Sequence, residues 1–511
     1  MLEVFNSAFL LLGGLVLASV YLYYHLAFTY WKKKGVATPK PIIPFGNFMR
    51  AFLPNSNPQL EVLKFYSEFE GVKVIGLYRF SKPALMLKDP DVIKEVLVKD
   101  FDHFYGRGIQ INEKYEPLQG HLFALSGPKW RNLRMKLTPT FTSGKMKMMF
   151  PNLVETGKEL TAYLKAPAEK QEVLEIKDIL ARYSTDIIAS CAFGIQCNCF
   201  KNPDSEFRVW GRKIFAPSFR STFARLVSLL APKLFPLLKL SIVPKDVSNY
   251  FRKMVRETVE YREKHDVHRN DFLQLLIQLK NKTLGGVEED HLIKMPTGAL
   301  DEVTMDVMAA QAFVFFLAGF ETSSTTMTFC LYELAVNPDI QDRLREEIDT
   351  MLENNKGQLE YDAIMGMEYL DKVIHETLRK YPPVTLLTRE CAKTTPLRGT
   401  DIVVDKGTLM FLPIYALHHD PKYFPEPERF DPERFSEEEK QNRPHYCYLP
   451  FGEGPRICIV GLISVLSKYE VHVSEKTPVP LEFDSKSLVL APVGGLWLKI
   501  KERNEKYCTR L

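Results

Sequence analysis

A short segment near the C-terminus carries the residue types best suited to chemistry. It reads Phe-Gly-Glu-Gly-Pro-Arg-Ile-Cys over residues 451–458. Two glycines and a proline oppose a regular helix up to Pro455, so the segment is predicted to be a turn-rich loop with exposed backbone N–H groups. Such donors, together with the positive charge of Arg456, suit a thiolate at Cys458. The alternative is a surface turn with an incidental cysteine.

The spacing of Phe, Gly, Arg and Cys in this loop resembles the haem-thiolate signature of the cytochrome P450 family. The resemblance implies that Cys458 is the axial ligand of the iron of haem b, with Phe451 and Arg456 beside the cofactor. It also implies one large, mainly α domain with a small β region (α+β). The resemblance covers essentially the whole chain and is closest to the microsomal branch that includes insect detoxifying enzymes.

A second candidate site lies on a helix that Ser126-Gly127-Pro128 is predicted to start. Trp130 and Arg134 follow at i and i+4 and therefore share one face. An indole N–H beside a guanidinium group suits a carboxylate, although a half-buried Trp with a solvated Arg is the simpler interpretation. The family resemblance implies that this pair binds a haem propionate and that Arg389 binds a second one. Basic residues nearby would then dock an acidic redox partner.

A long helix is predicted from about Val303 to Val336, and residues 307–320 within it carry no charge. That length fits a buried core helix better than a membrane span. A glycine, an acidic residue and a β-branched residue are unfavourable in the middle of an apolar helix, and this helix has them at Gly319, Glu321 and Thr322. Such local conflicts tend to fall at functional sites. A helix packing notch is the alternative explanation. In the family, Gly319 would leave room for the flat cofactor, while Thr322 and Glu321 would support proton delivery.

Glu376 and Arg379 lie at i and i+3 of another predicted helix. Such a pair is usually a surface salt bridge that contributes little. The family, however, closes a Glu-Arg-Arg network between two such segments, and the resemblance assigns Arg434 as its third member. A buried carboxylate with two guanidinium groups must be fully hydrogen-bonded, so this network would fix the approach to the cysteine loop.

The chain departs from the family pattern directly after Cys458. A glycine stands two places after the cysteine in the family and a long helix follows, whereas this chain has Val460 and a helix shortened by roughly ten residues, or about 15 Å. Ten residues are not a whole number of helical turns. Cys458 and the apolar face of the rest of the helix therefore cannot both keep the orientation around the helix axis that they have in the family. We expect weak or disordered haem binding. A splice variant or a gene-model error would also explain the shortening.

Composition sets the remaining limits. The 511 residues are 45% apolar and 25% charged, which is ordinary for a globular protein with a sizeable core. A net charge of +4 is too small to indicate nucleic-acid binding. Eight cysteines in so long a chain do not have the density of a disulfide scaffold.

The N-terminus carries a membrane signal, because no Asp, Glu, Lys or Arg occurs between Glu3 and Lys32. We predict an anchor at 1–31 with an aromatic belt that includes Trp31, a basic and Pro-rich connector at 32–47, and the catalytic domain at 48–511. The lysines at 32–34 predict that this domain faces the cytosol, and the family resemblance implies that the membrane is that of the endoplasmic reticulum. A cleavable signal peptide is the alternative.

Several other elements follow from local patterns. Strands are predicted at 72–77 and 84–87, a helix from Asp89-Pro90, and further strands within 481–500. The segment 101–120 is predicted to be a long loop, which in the family lids the substrate pocket. The apolar segment 223–243 is interrupted by prolines and is either buried or, as in the family, dips into the membrane surface.

These observations predict a membrane-anchored haem-thiolate monooxygenase. It would insert one oxygen atom from O2 into lipophilic small molecules, with NADPH-derived electrons from a reductase and with cytochrome b5 as a further partner. One alternative is a haem-thiolate isomerase or dehydratase that needs no reductase, against which Thr322 argues. The other is a catalytically impaired variant with weak haem binding.

Overall fold

The computed structural model describes residues 2–49, 58–215, 219–230, 234–281, 303–450, 456–484, 487 and 489–503. Helices dominate, and short strands form small sheets. The predicted fold class, mainly α with a small β region, is confirmed.

The helices are α1 (Leu2–Ala27), α2 (Tyr30–Lys33), α3 (Pro58–Glu68), α4 (Pro90–Lys94), α5 (Gly127–Leu137), α6 (Ser143–Glu169), α7 (Ile176–Ile188), α8 (Glu206–Phe215), α9 (Phe219–Leu230), α10 (Leu234–Leu237), α11 (Lys245–His265), α12 (Phe272–Lys280), α13 (Met305–Val336), α14 (Pro338–Asn354), α15 (Tyr361–Met365), α16 (Glu368–Lys380), α17 (Ile414–His418), α18 (Glu437–Asn442) and α19 (Arg456–Lys468). The strands are β1 (Val74–Arg79), β2 (Lys82–Leu87), β3 (Val173–Glu175), β4 (Leu387–Glu390), β5 (Thr395–Pro396), β6 (Val403–Val404), β7 (Leu409–Leu412), β8 (Tyr469–Val473) and β9 (Trp497–Glu502).

The chain forms two compact units. The first unit contains Met1–Gly108, Val384–Pro427 and Gln441–Leu449, and the second contains Ile109–Pro383, Glu428–Lys440 and Pro450–Leu511. Each unit has its own buried apolar core. The first holds the larger sheet, and the second holds the long helix α13.

The sheet of the first unit has the strand order β1-β2-β7-β4. β2 runs antiparallel to β1 and parallel to β7, and β7 pairs antiparallel with β4. The Asp89 side chain accepts hydrogen bonds from the amides of Asp91 and Val92, so Asp89 caps the helix that Pro90 begins. The strands and the helix start predicted from the sequence in this region are therefore confirmed.

Trp31 lies in the core of the first unit, and its assignment to an interfacial aromatic belt is wrong. The side chain is fully buried, and its Nε1 donates to the carbonyl of Leu77 at 2.9 Å. Gly76 makes the space, because a Cβ there would lie 2.5 Å from Cγ of Trp31. The indole N–H finds a backbone acceptor in the protein, so burial costs no hydrogen bond.

Among the described residues, two helical spans are long and apolar enough to cross a membrane. Residues Leu10–Lys33 have a mean hydropathy of 1.7 and none of their apolar window is buried. Residues Met305–Val336 have a mean hydropathy of 1.3, and 44% of their window is buried. The second span is the core helix α13, whereas the exposed apolar surface of the first fits a membrane anchor.

The apolar segment 223–243 is partly exposed in the second unit. Leu237 in α10 is 74% exposed and Leu238 is 51% exposed, whereas Phe235 is fully buried. The exposed leucines fit the membrane-surface interpretation of this segment, while Phe235 is buried in the protein.

Candidate active site and cofactor-binding residues

α13 positions three of the predicted catalytic residues. It begins after Thr304, whose hydroxyl accepts from the amide of Val307 at 3.3 Å, and it ends at Val336, where Asn337-Pro338 follows. A capping Thr at one end and a proline beyond the other limit the helix locally. The predicted span from about Val303 to Val336 is therefore confirmed.

Glu321 of α13 is held by a residue that no sequence motif singles out. Nζ of Lys177, in α7, lies 2.6 Å from Oε1 of Glu321. The two side chains are 23% and 17% exposed, so the ion pair is largely shielded from water. In the part of the chain that the structure describes, Oε2 of Glu321 has no hydrogen-bond partner in the protein.

The turn of α13 around Thr322 uses hydroxyl groups to bind backbone carbonyls. Oγ1 of Thr322 donates to the carbonyl of Ala318, which is the back-bonding expected of a helical Thr. The carbonyl of Phe320 accepts from Oγ of Ser324 and from Oγ of Ser184 in α7, both at 3.0 Å. α7 is therefore attached to this turn at a second point.

Gly319 faces a protein side chain. A Cβ at this position would lie 2.4 Å from Cδ1 of Ile188, at the end of α7. The missing side chain thus allows α7 and α13 to pack closely at this point, and the role of Gly319 beside a flat cofactor stays a prediction. The packing notch that was the alternative explanation describes Gly319 in this structure.

Gln311, one and a half turns into α13, is a further candidate that the sequence reasoning missed. It is fully buried. Its Oε1 accepts from the amide of Leu122 at 2.9 Å, and its Nε2 donates to the carbonyl of Gly120 at 3.1 Å. A lone amide in the uncharged stretch 307–320 was the available signal, because a buried amide must be hydrogen-bonded.

The same loop is attached to α11 by a buried carboxylate. Glu116 is 3% exposed, and its Oε1 accepts from Oγ of Ser248 at 2.6 Å and from the amide of Leu118 at 3.1 Å. Burial raises the pKa of Glu116 above its ordinary value, and the hydrogen bond from Ser248 opposes that effect. The loop around 116–122 is therefore held from two helices by satisfied polar groups.

Glu376, Arg379 and Arg434 lie together, as the predicted network requires. Arg379 donates from Nε to Oε2 of Glu376 at 2.7 Å and from Nη2 to Oε1 at 2.9 Å, and both side chains are fully buried. Nε of Arg434 lies 3.5 Å from Oε1 of Glu376, which also accepts from the amide of Asp431 at 2.9 Å. The carboxylate is thereby satisfied on both oxygens, and it fixes the segment 429–434 against α16.

Trp130 and Arg134 share α5, as predicted. Trp130 is half-buried against an apolar cluster that contains Leu133 and Leu137. Arg134 is exposed and forms no ion pair with the described residues. Its guanidinium group is free to bind an external carboxylate, although the same arrangement is common for a surface helix.

Arg389 provides the clearest test of whether this chain suits a cofactor with carboxylate groups. It lies in β4 opposite Met410, and its Nη1 donates to the carbonyl of Thr388 at 2.8 Å. Burial lowers the pKa of Arg389, and no carboxylate within the described ranges pairs with it. A partly buried guanidinium without a counter-anion suits a haem propionate, so the residues present fit the cofactor.

The cysteine loop lies mostly outside the described residues. Phe451 and the rest of 451–455 are not among them, and for Arg456 and Cys458 the structure describes only the backbone at the start of α19. The predicted roles of these three residues are therefore untested. Beyond them, Val460 is 1% exposed and packs in the core of the second unit.

Comparison with known proteins identifies the family. A family model described as cytochrome P450 matches residues 36–498. The chain is 42% identical over 507 residues to cytochrome P450 6k1 of Blattella germanica, covering 96% of each chain. It is 43% identical over 508 residues to probable cytochrome P450 6a14 of Drosophila melanogaster, covering 96% of this chain and 98% of the relative.

These relatives are insect proteins, which agrees with the branch predicted from the sequence. The range matched by the family model includes α5, α13, α16 and the cysteine loop, which carry the motifs described above. The chain belongs to the cytochrome P450 family of haem-thiolate monooxygenases, whose cofactor is haem b and whose electrons derive from NADPH through a reductase.

Proposed function

We propose that this protein is a microsomal monooxygenase that inserts one oxygen atom from O2 into lipophilic small molecules, either xenobiotic or endogenous. The observation that carries the proposal is α13, which presents a shielded Glu321 and a hydroxyl-bearing Thr322 directly after the uncharged stretch 307–320. NADPH–cytochrome P450 reductase is the proposed electron donor, with cytochrome b5 as a further partner.

Haem b bound by a cysteine thiolate supplies the oxygen activation and electron transfer for this reaction. Cys458 is the proposed ligand, with Phe451 and Arg456 beside it. Arg389 is proposed to bind one propionate, and the second is assigned to Trp130 and Arg134. The basic surface of α5 would then receive an acidic redox partner.

The other predicted site residues would transfer protons or hold neighbouring elements in place. Glu321 would exchange a proton at Oε2 while Lys177 holds Oε1, and Thr322 would accept a hydrogen bond while its own proton is donated to Ala318. Gly319 would act through close packing of α7 against α13. Glu376 with its two arginines would fix the approach to the cysteine loop.

The proposed location is the endoplasmic reticulum membrane, with the catalytic domain in the cytosol. The exposed apolar span Leu10–Lys33 supports an anchor, and the lysines at its end support the orientation. The domain limits predicted from the sequence, 1–31, 32–47 and 48–511, belong to this proposal, except that Trp31 lies in the core of the first unit and not in the anchor.

A second candidate is a catalytically impaired variant with weak haem binding, and α19 favours it. The helix has only 13 residues. Its packing leaves no freedom to rotate, because a Cβ at Gly461 would lie 2.6 Å from Sδ of Met327 and one at Gly157 in α6 would lie 2.4 Å from Oγ of Ser464. Removing about ten residues from a helix turns its start by roughly 80° relative to that fixed face.

The reduced-CO difference spectrum of the purified full-length protein tests both candidates. The monooxygenase proposal expects a thiolate-type Soret band that Cys458→Ser abolishes, and NADPH-dependent product formation with reductase. Absence of the band overturns it. Turnover of a peroxide substrate without NADPH would instead favour an isomerase or dehydratase.

An insertion variant separates the two explanations of a weak band. A ten-residue helical segment, with glycine two places after the cysteine, is inserted between Ile459 and Val460. Recovery of the band on insertion means that the shortened helix limits haem binding. A weak band in both proteins means that the cofactor assignment itself is wrong.

A further inference from the structure

A buried histidine in the first unit accepts a hydrogen bond from the backbone close to the cysteine loop. His418 is the last residue of α17, and its side chain is fully buried. Its Nε2 lies 2.9 Å from the amide nitrogen of Leu449, 31 residues further along the chain. An amide N–H can only donate, so Nε2 is the accepting nitrogen and the ring proton lies on Nδ1. The imidazole is therefore neutral and serves as an acceptor for this backbone group.

The imidazole of His418 is held on a well-packed element. α17 follows β7, a strand of the larger sheet whose residues are all buried. The amide of Tyr415 in α17 donates to the carbonyl of Thr385 at 3.1 Å. The ring of His418 also contacts the rings of Tyr448 and Phe424, with centroids 5.0 and 6.3 Å away. Packing and hydrogen bonding leave the imidazole little freedom, as the precise placement of another group requires.

Leu449 stands where the chain leaves the first unit for the cysteine loop. It is the last residue of that unit, and Pro450 begins the segment that leads to Cys458. The turn before Leu449 is closed by local contacts, because the amide and Sγ of Cys447 both donate to the carbonyl of Pro444, at 3.2 and 2.9 Å. Holding the Leu449 amide therefore fixes the point from which the segment towards Cys458 starts.

We propose that His418 is a positioning residue for the cysteine loop, an inference that rests on the proposed role of Cys458 as the haem ligand. By accepting from Leu449, the imidazole sets where the loop begins. A ligating group must be held within about 0.5 Å of its productive position, so the start of its loop must not shift. Without this hydrogen bond, Cys458 loses its fixed approach to the iron, while Arg389 can still hold the cofactor by a propionate.

Three replacements at His418 separate the hydrogen bond from the polarity of the side chain. In His418→Gln the amide oxygen lies as many bonds from Cα as Nε2 does, so it can still accept from Leu449. In His418→Asn the amide reaches only as far as Nδ1, so the side chain stays polar but loses the contact. His418→Leu removes both. His419→Leu is the matched control, because Nδ1 of this buried neighbour donates to the carbonyl of Tyr415 at 2.8 Å.

Hydrogen exchange of the full-length protein measures the contact itself and does not require haem. We expect the Leu449 amide to exchange about tenfold faster in His418→Asn and His418→Leu than in the parent, and the segment up to Cys458 to exchange faster with it. His418→Gln should retain most of the protection, and the control at His419 should match the parent. Equal exchange in the parent and His418→Asn, or a change confined to Leu449, would overturn the proposal.

The reduced-CO difference spectrum, with bound haem quantified separately, measures the consequence for ligation. We expect His418→Asn to keep its haem but to show about a threefold fall in the fraction that gives the thiolate-type Soret band, and His418→Gln to keep most of that fraction. An unchanged fraction in His418→Asn would overturn the proposal. Absence of the band from the parent would instead overturn the proposed function, and hydrogen exchange would then decide on His418 alone.

Discussion

Nζ of Lys177 lies 2.6 Å from Oε1 of Glu321, and this ion pair joins α7 to the turn of α13 that carries the proposed proton-transfer groups. Ser184 and Ile188 of α7 contact the same turn, through the carbonyl of Phe320 and through the notch at Gly319. α7 therefore fixes the position of Glu321, although it contains none of the family's sequence motifs.

Replacing Lys177 with Met should uncouple the reaction. Glu321 would lose the cation that orients it, so proton delivery would slow and reducing equivalents would be lost as hydrogen peroxide. We expect about a tenfold fall in product per NADPH consumed, measured per mole of bound haem. Lys177→Arg keeps the charge and should retain most of the coupling. Equal coupling in the Met variant and the parent would mean that Lys177 is only a surface charge.

Variants of Gln311 should separate its two hydrogen bonds. Gln311→Leu leaves the amide of Leu122 and the carbonyl of Gly120 buried without partners, at a cost of about 1–3 kcal/mol each. Gln311→Glu can still accept from Leu122 but, when ionised, cannot donate to Gly120. Hydrogen exchange should therefore show the Leu122 amide protected in the Glu variant and exposed in the Leu variant. Protection in both would show that the loop is held by other contacts.

Breaking the buried network at Glu376 should strongly destabilise the protein. Glu376→Gln leaves Arg379 fully buried with no opposite charge, which costs about 3–5 kcal/mol. Glu433→Gln is the control, because Glu433 pairs with Lys372 and Arg343 at the surface and should cost less than about 1 kcal/mol. Thermal unfolding compares the two variants. Similar losses would mean that burial adds nothing to the Glu376 pair.

Gly319→Ala tests the packing role of this residue. The added methyl group would lie against Ile188, so the variant should lose about 1–2 kcal/mol despite the better helix propensity of Ala. Ile188→Ala removes the side chain that the methyl group would contact. In this background Gly319→Ala should cost much less stability than it does in the parent protein. Additive losses in the double variant would show that Gly319 is required for something other than this contact.

Asp178 should make stability depend on pH in the acidic range. Burial would raise its pKa, but Arg208, Arg182 and Arg212 hold it below its ordinary value of 3.8. The lowered folded-state pKa means that the carboxylate contributes its full stabilisation above about pH 4 and loses it as the pH falls through the folded-state value.

Asp178→Asn should therefore cost about 2 kcal/mol near neutral pH, because Arg208 stays buried without its counter-charge. The difference from the parent should shrink as the pH is lowered towards 3, which thermal unfolding measured from pH 3 to 7 would show. A difference that is independent of pH would mean that the shape of Asp178, and not its charge, matters.

The sequence alone determined the local elements and the family. Proline and glycine limit the helices and loops through their own backbone restrictions, and a run without charge between Asp306 and Glu321 marks a buried helix whatever surrounds it. The contact between Glu376 and Arg379 is also local, since it needs only one turn of helix. These features depend on neighbours within a few residues, so the order of residues suffices to predict them.

Tertiary structure decided which groups meet across the chain. Lys177 and Glu321 are 144 residues apart and Leu122 and Gln311 are 189 apart, so no local pattern pairs them. Trp31 appeared to end a membrane anchor, yet the space above Gly76 and the carbonyl of Leu77 place it in a core. Packing selects among many chemically suitable partners by shape and by hydrogen-bond satisfaction, and both are properties of the folded chain.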